Sequence, residues 1–157
     1  MANKKYLGTE AMESILQILH DELAKKADKS TGADYAEMFK WTDNNVKNED
    51  RTNLFVTLDG DQIRIANSED DFILGIVSTN PTVIGDEYDK NKRSRLTSTA
   101  WSPIGLLGKL YVKQDGSAML NGYVTTGDNG IAINSEEKTK FRVIEVESNE
   151  LIRVIMV

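Results

Sequence analysis

Leu54-Phe55-Val56-Thr57-Leu58-Asp59-Gly60-Asp61-Gln62-Ile63-Arg64-Ile65 is the stretch that decides the fold. Two runs rich in β-branched and apolar residues flank Asp59-Gly60, a dipeptide that strongly signals a two-residue hairpin turn. Moving outward, Phe72-Ile73-Leu74-Gly75-Ile76-Val77 reads as a short buried strand ended by Ser78-Thr79-Asn80-Pro81. Strand signals resume over residues 105–112 and around Tyr123-Val124. The chain closes on a second hairpin, residues 141–147 and 151–157, joined across Ser148-Asn149. Residues 85–100 read as loop. Within them 89–100 is expected to be the most mobile part, because it lacks apolar periodicity and gathers Lys90, Lys92, Arg93 and Arg95.

Before this β-rich region the period changes to that of a helix. Met12, Ile15, Leu16, Leu19 and Leu23 recur at helical spacing, and Ile18 widens their stripe. Glu10 and Glu13 stand in the first turn and Lys25 and Lys26 in the last, where the helix dipole favours each sign. A helix with such a stripe either docks on a domain or bundles with copies of itself. The pattern dissolves at Asp28-Lys29-Ser30-Thr31-Gly32. The expected fold is therefore mainly β, a compact hairpin-rich domain preceded by one N-terminal α-helix. No period of about 20–50 residues repeats, which excludes a solenoid or propeller.

Composition removes several function classes. The 157 residues suffice for one domain with a real core. With 19 basic and 25 acidic side chains the net charge is −6, which argues against a nucleic-acid binder. No apolar run approaches the roughly 20 residues of a membrane span, and no secretory signal is expected after Met1-Ala2-Asn3-Lys4-Lys5. The absence of cysteine removes disulfides, thiol nucleophiles and zinc–thiolate sites. The single histidine, His20, lies in the polar part of the helical pattern and reads as a surface residue.

Few motifs remain that could carry chemistry. Gly105-Leu106-Leu107-Gly108-Lys109 is too short for a phosphate loop and lacks the following Ser or Thr, so its glycines point to a bulge or close packing. Lys90 to Arg95 could grip a phosphate or simply be solvated. Asp86, Glu87 and Asp89 lack the spacing and glycine of a calcium loop. Asp34 and Glu37 differ in kind. Three residues apart, they share a face if the turn is helical, and two close carboxylates can split into a proton donor and an acceptor. The same spacing also fits a helix capping box, so acid/base pair and structural cap both stand on spacing alone.

Gly32-Ala33-Asp34-Tyr35-Ala36-Glu37-Met38-Phe39-Lys40-Trp41 resembles the entry motif of the intramolecular chaperone domain that ends phage neck-appendage and tail-spike proteins, the self-cleaving peptidase family G-two. Further motifs agree in order: residues 55–60, Ile65 to Asp71, Ile73 to Ser78, Trp101 to Gly108, Gly127 to Ala132, and the closing hairpin. The resemblance implies that residues 30–157 form the chaperone domain and that residues 1–29 stand in for the end of the upstream spike. It implies a homotrimer, with three copies of the Met12–Leu23 stripe packed together, and association with the upstream spike polypeptide. It further implies single-turnover hydrolysis of one peptide bond within Ser30-Thr31-Gly32-Ala33-Asp34, most simply just before Asp34, with Asp34 and Glu37 as the catalytic carboxylates. No cofactor, metal, nucleic acid or membrane is implied. Folding and cleavage would occur in the cytoplasm of the bacterial host during virion assembly, the domain then leaving the mature spike. Where the family carries a longer insertion before the Trp-Ser-Pro segment, this chain has only residues 89–100, so a ligand-binding role lodged there does not carry over. The rival reading is a non-catalytic trimerisation cap of a phage fibre.

Overall fold

A computed structural model describes residues 8–29 and 33–156, with the side chains of 22–29 outside that description. Contacts divide the chain into two units, Met1–Thr31 and Gly32–Val157. The first unit contains one helix, α1 (Thr9–Lys29). Its ladder opens with the Met12 N–H donating to the Gly8 carbonyl, and Gln17 bonds Asp21 one turn on. Met12, Ile15, Leu16, Ile18 and Leu19 are each between 43% and 62% exposed, so this unit leaves its apolar stripe uncovered. Leu23, the last member of the stripe, has its side chain outside the described residues. His20 is exposed, as its position in the pattern predicts.

The regular elements of the second unit are β-strands and two short 3-10 turns. Its strands are β1 (Ala33–Lys40), β2 (Phe55–Asp59), β3 (Gln62–Ile65), β4 (Gly75–Val77), β5 (Val83–Ile84), β6 (Trp101–Lys113), β7 (Tyr123–Thr126), β8 (Ala132–Ser135), β9 (Phe141–Ser148) and β10 (Leu151–Met156). They join in one sheet in the order β3-β2-β4-β6-β10-β9-β7-β8, with β1 paired to both β5 and β6. The long β6 is the hub, hydrogen-bonded to β1, β4 and β10.

The deciding hairpin forms with its turn shifted by one residue. Asp59 pairs with Gln62, so the two loop residues are Gly60 and Asp61. Gly60 takes a φ of 65°, which suits the first position of a type II′ turn and needs glycine. The period of two then places Phe55, Ile76, Val112, Val124, Phe141, Val143, Ile152 and Val154 in one buried cluster, with the Phe55 and Phe141 rings 4.8 Å apart. A second cluster gathers Trp41, Val56, Ile63, Val77 and Ile104 beside β1.

Residues 85–100 carry internal bonds that their sequence does not announce. The Asp89 and Arg93 side chains pair at 3.0 Å, and Tyr88 bridges to Ser94. Arg95 donates to the Asp86 carbonyl at 2.8 Å and its carboxylate at 3.1 Å, while its guanidinium stacks 4.5 Å from the Trp101 ring. Two carboxylates thus pair with the two arginines, Asp89 with Arg93 and Asp86 with Arg95. Arg95→Ala is expected to destabilise the β unit by about 1–2 kcal/mol through loss of these bonds and the stacking, read as a lower midpoint in thermal unfolding. An unchanged midpoint would mean that these bonds contribute nothing to stability.

Candidate active site

The segment Ala33–Lys40 is a strand rather than a turn of helix. This corrects the helical assumption behind the Asp34–Glu37 spacing. In a strand successive side chains alternate, so residues three apart face opposite ways. Burial follows that rule: Asp34, Ala36 and Met38 are buried, whereas Tyr35 and Glu37 lie partly exposed. The two carboxylates do not share a face within one chain. Asp34 does not cap a helix either, since β1 is paired along its length with β6.

Asp34 lies where β1 begins, only 6% exposed. Its strand partner is Gly108, whose φ of 107° and missing side chain let β6 approach the backbone ahead of Asp34. A Cβ there would stand 2.3 Å from the Ala33 carbonyl oxygen and 2.9 Å from the Asp34 Cα. One turn of the pleat away, a Cβ on Gly105 would meet the Leu110 side chain at 2.0 Å and Asp34 Oδ2 at 3.0 Å. Between these glycines the register slips, because Tyr35 faces Leu107 and Ala36 faces Gly105. Leu106 is the extra residue of a bulge, in keeping with the sequence reading of that glycine pair.

The Asp34 carboxyl therefore sits against Gly105 and Leu110, away from water. Burial raises its pKa above the ordinary 3.8, opposed by hydrogen bonds from the Ser78 hydroxyl and from its own backbone N–H. Oδ2 has no hydrogen-bond partner, the one carboxylate oxygen so placed among the described residues. A buried oxygen without a donor favours the protonated acid. On the opposite face the Tyr35 hydroxyl donates to Glu37 Oε1 at 2.8 Å, and that bond raises the Tyr35 phenol above its usual value. Gly85 is packed against the pair, since a Cβ there would lie 2.2 Å from the Tyr35 hydroxyl.

Of the expected cleavage segment, Ser30, Thr31 and Gly32 lie outside the described residues. Ala33 and Asp34 are within it, so the bond between them is the one candidate whose surroundings are defined. Residues 20–91 match the family described as Peptidase_G2, IMC autoproteolytic cleavage domain. This chain is therefore similar to a self-cleaving chaperone domain. The matched region holds both Asp34 and Glu37. No curated protein matches the chain. Two solved structures share its fold. The pre-mature bacteriophage phi29 gene product 12 aligns with a TM-score of 0.65 at 18% identity over 82% of this chain, which spans only 22% of that one. The C-terminal fragment of the same phage protein aligns with a TM-score of 0.64, also at 18% identity, over 79% of this chain and 99% of the fragment.

Sequence reasoning left Tyr35 and Ser78 without roles. Ser78 ends the quoted motif Ile73 to Ser78, but nothing in a strand pattern says that it will be buried. Among the described residues no cluster of three or more potential ligands could hold a metal, and no helix is long and apolar enough to cross a membrane.

Proposed function

We propose that this chain is a self-cleaving chaperone domain that assists folding and trimerisation of a phage spike or appendage and then hydrolyses its own Ala33–Asp34 bond. One observation carries the site assignment. The Asp34 carboxyl is buried with Oδ2 lacking a hydrogen-bond partner, and the backbone nitrogen of the same residue is the leaving group if the bond before Asp34 breaks. A protonated acid beside a leaving amine supplies what amide hydrolysis lacks most at neutral pH.

The reaction reads as follows. Water adds to the Ala33 carbonyl carbon and gives its proton to a carboxylate base. The nitrogen of the tetrahedral intermediate gains a lone pair, and a half-turn of the Asp34 carboxyl about Cβ–Cγ presents the protonated oxygen to it. The C–N bond then breaks, leaving an Ala33 carboxylate and a free amine on Asp34. Gly108 leaves room for the bulkier tetrahedral carbon beside β6. Tethering supplies a high effective concentration, which suits a reaction performed once.

Glu37 is the base in this reading, and it serves a neighbouring copy. Along its own strand the Ala33 carbonyl is about 12 Å from Glu37, far outside the roughly 3 Å needed for a proton transfer. A homotrimer built on the exposed stripe of Met12, Ile15, Leu16 and Leu19, with Leu23 continuing it, would bring the second carboxylate from another chain. Residues 1–29 then represent the end of the upstream spike and residues 30–157 the chaperone domain. Its natural setting is the cytoplasm of the bacterial host during assembly.

Light scattering and denaturing electrophoresis test this reading together. The expected outcome is a trimer in solution whose chains resolve into two fragments under denaturing conditions. A persistent intact 17.5 kDa chain in a trimer would favour the non-catalytic cap instead, and a monomer at micromolar concentration would remove the trimer.

A further inference from the structure

The backbone on either side of Glu37 is gripped by the segment that follows β5. The Gly85 N–H donates to the Ala36 carbonyl at 2.9 Å, and the Met38 N–H donates to Asp86 Oδ1 at 2.6 Å. Asp86 is held in turn by Arg95, which donates to its carbonyl at 2.8 Å and its carboxylate at 3.1 Å. Tyr35 lies beside this grip, paired in register with Val83 of β5. Its hydroxyl donates to Glu37 Oε1 at 2.8 Å, two residues along the same strand face. A Cβ on Gly85 would collide with that hydroxyl and stand 3.4 Å from Glu37 Cγ, so glycine leaves the room that the pair occupies.

We infer that Tyr35 is a positioning residue for the cleavage: by holding Glu37 Oε1 it fixes how the base presents its other oxygen to a neighbouring chain. A glutamate on a partly exposed strand face turns about three side-chain bonds, and ordering it for the reaction costs entropy. Tyrosine turns about only two, and the packed Gly85 fixes where its hydroxyl lies. With Oε1 accepting from the phenol, Oε2 is the oxygen that takes the proton from water. The same bond raises the Tyr35 phenol, which therefore keeps its own proton wherever Glu37 is ionised. Tyr35 touches no atom that forms or breaks a bond. It acts through Glu37.

This inference rests on Glu37 being the base, and the experiment separates the two. Tyr35→Phe, which removes one oxygen and keeps the ring, is made in the full chain, and cleavage is timed after refolding. The rate is expected to fall about tenfold, the value of one lost hydrogen bond to a charged group. In chains kept whole by Asp34→Asn, the Tyr35 phenol carbon is titrated by NMR with and without Glu37→Gln, which should lower its midpoint. Mixed trimers then locate the effect. Glu37→Gln chains are refolded with Asp34→Asn chains that lend them Glu37. Tyr35→Phe should cause the tenfold loss when the lending chain carries it, and a smaller loss when the chain that is cut carries it. A parent rate, an unmoved phenol, or equal losses from the two placements overturns the role of Tyr35. Glu37→Gln chains that cut themselves when refolded alone would instead overturn Glu37 as the base, and this inference with it.

Discussion

Asp34→Asn is expected to yield a folded chain that stays whole. Asparagine keeps the shape of the side chain, but it has no acidic proton for the leaving nitrogen. Loss of general acid catalysis lowers the rate by about 10²–10⁴-fold, enough to leave a single-turnover reaction incomplete over days. Stability should move the other way. Folded Asp34 binds its proton more tightly than the unfolded chain does, so its contribution is full below about pH 3.8 and is lost as pH rises through the raised folded value. Above that value the parent chain must keep a buried carboxylate, a cost that asparagine lacks. Unfolding midpoints of the two chains should therefore diverge with rising pH, the Asp34→Asn chain becoming the more stable. A helix cap would instead cost about 1 kcal/mol on substitution and leave chain length untouched.

The second large effect follows from the alternation of β1. Asp34 and Glu37 face opposite ways, so if they are acid and base of one reaction, each reacting unit is expected to draw them from different chains. Asp34→Asn and Glu37→Gln chains should each remain whole when prepared separately. Refolded together with tags of different mass, they should form mixed trimers in which only the Glu37→Gln chains are cut, since those retain Asp34 and borrow Glu37 from a neighbour. Recovery of cleavage from essentially none to a substantial fraction of those chains is the expected result. Mixed trimers that stay whole would place base and acid in one chain, and would require the start of β1 to rearrange before the reaction.

Much of this fold is legible in the sequence because sheet faces write themselves as alternation. The hairpin around Gly60, the buried run at Ile76-Val77 and the closing hairpin each carry their own turn residues and apolar period. β1 is less legible. Asp34-Tyr35-Ala36-Glu37 alternates as well as any strand, yet Asp followed three residues later by Glu is also how helices are capped, and the competing signal hides the strand. What settles the matter physically is long-range pairing with β6, which no local window contains. Short strands such as Val83–Ile84 have the same difficulty, since their pairing with β1 alone defines them. The loop at 85–100 misleads for another reason. Its charges look unpaired in a list, whereas Asp89 pairs with Arg93, Asp86 with Arg95, and Arg95 stacks on Trp101 in space.

The candidate site divides along the same line. Asp34 and Glu37 stand out by residue type and by their motif, and the glycines of residues 105–108 by their spacing. Their relation does not stand out: burial of one carboxylate and partial exposure of the other are products of packing. A desolvated acid beside its own amide nitrogen exists only once β4, β6 and β1 have come together.

N-terminal sequencing of the larger cleavage product tests the central claim most directly. A single new terminus at Asp34 is expected, because only cleavage of that bond makes the Asp34 nitrogen, beside its own carboxyl, the leaving group. A product beginning at Thr31, Gly32 or Ala33, or one beginning beyond Asp34, would contradict it.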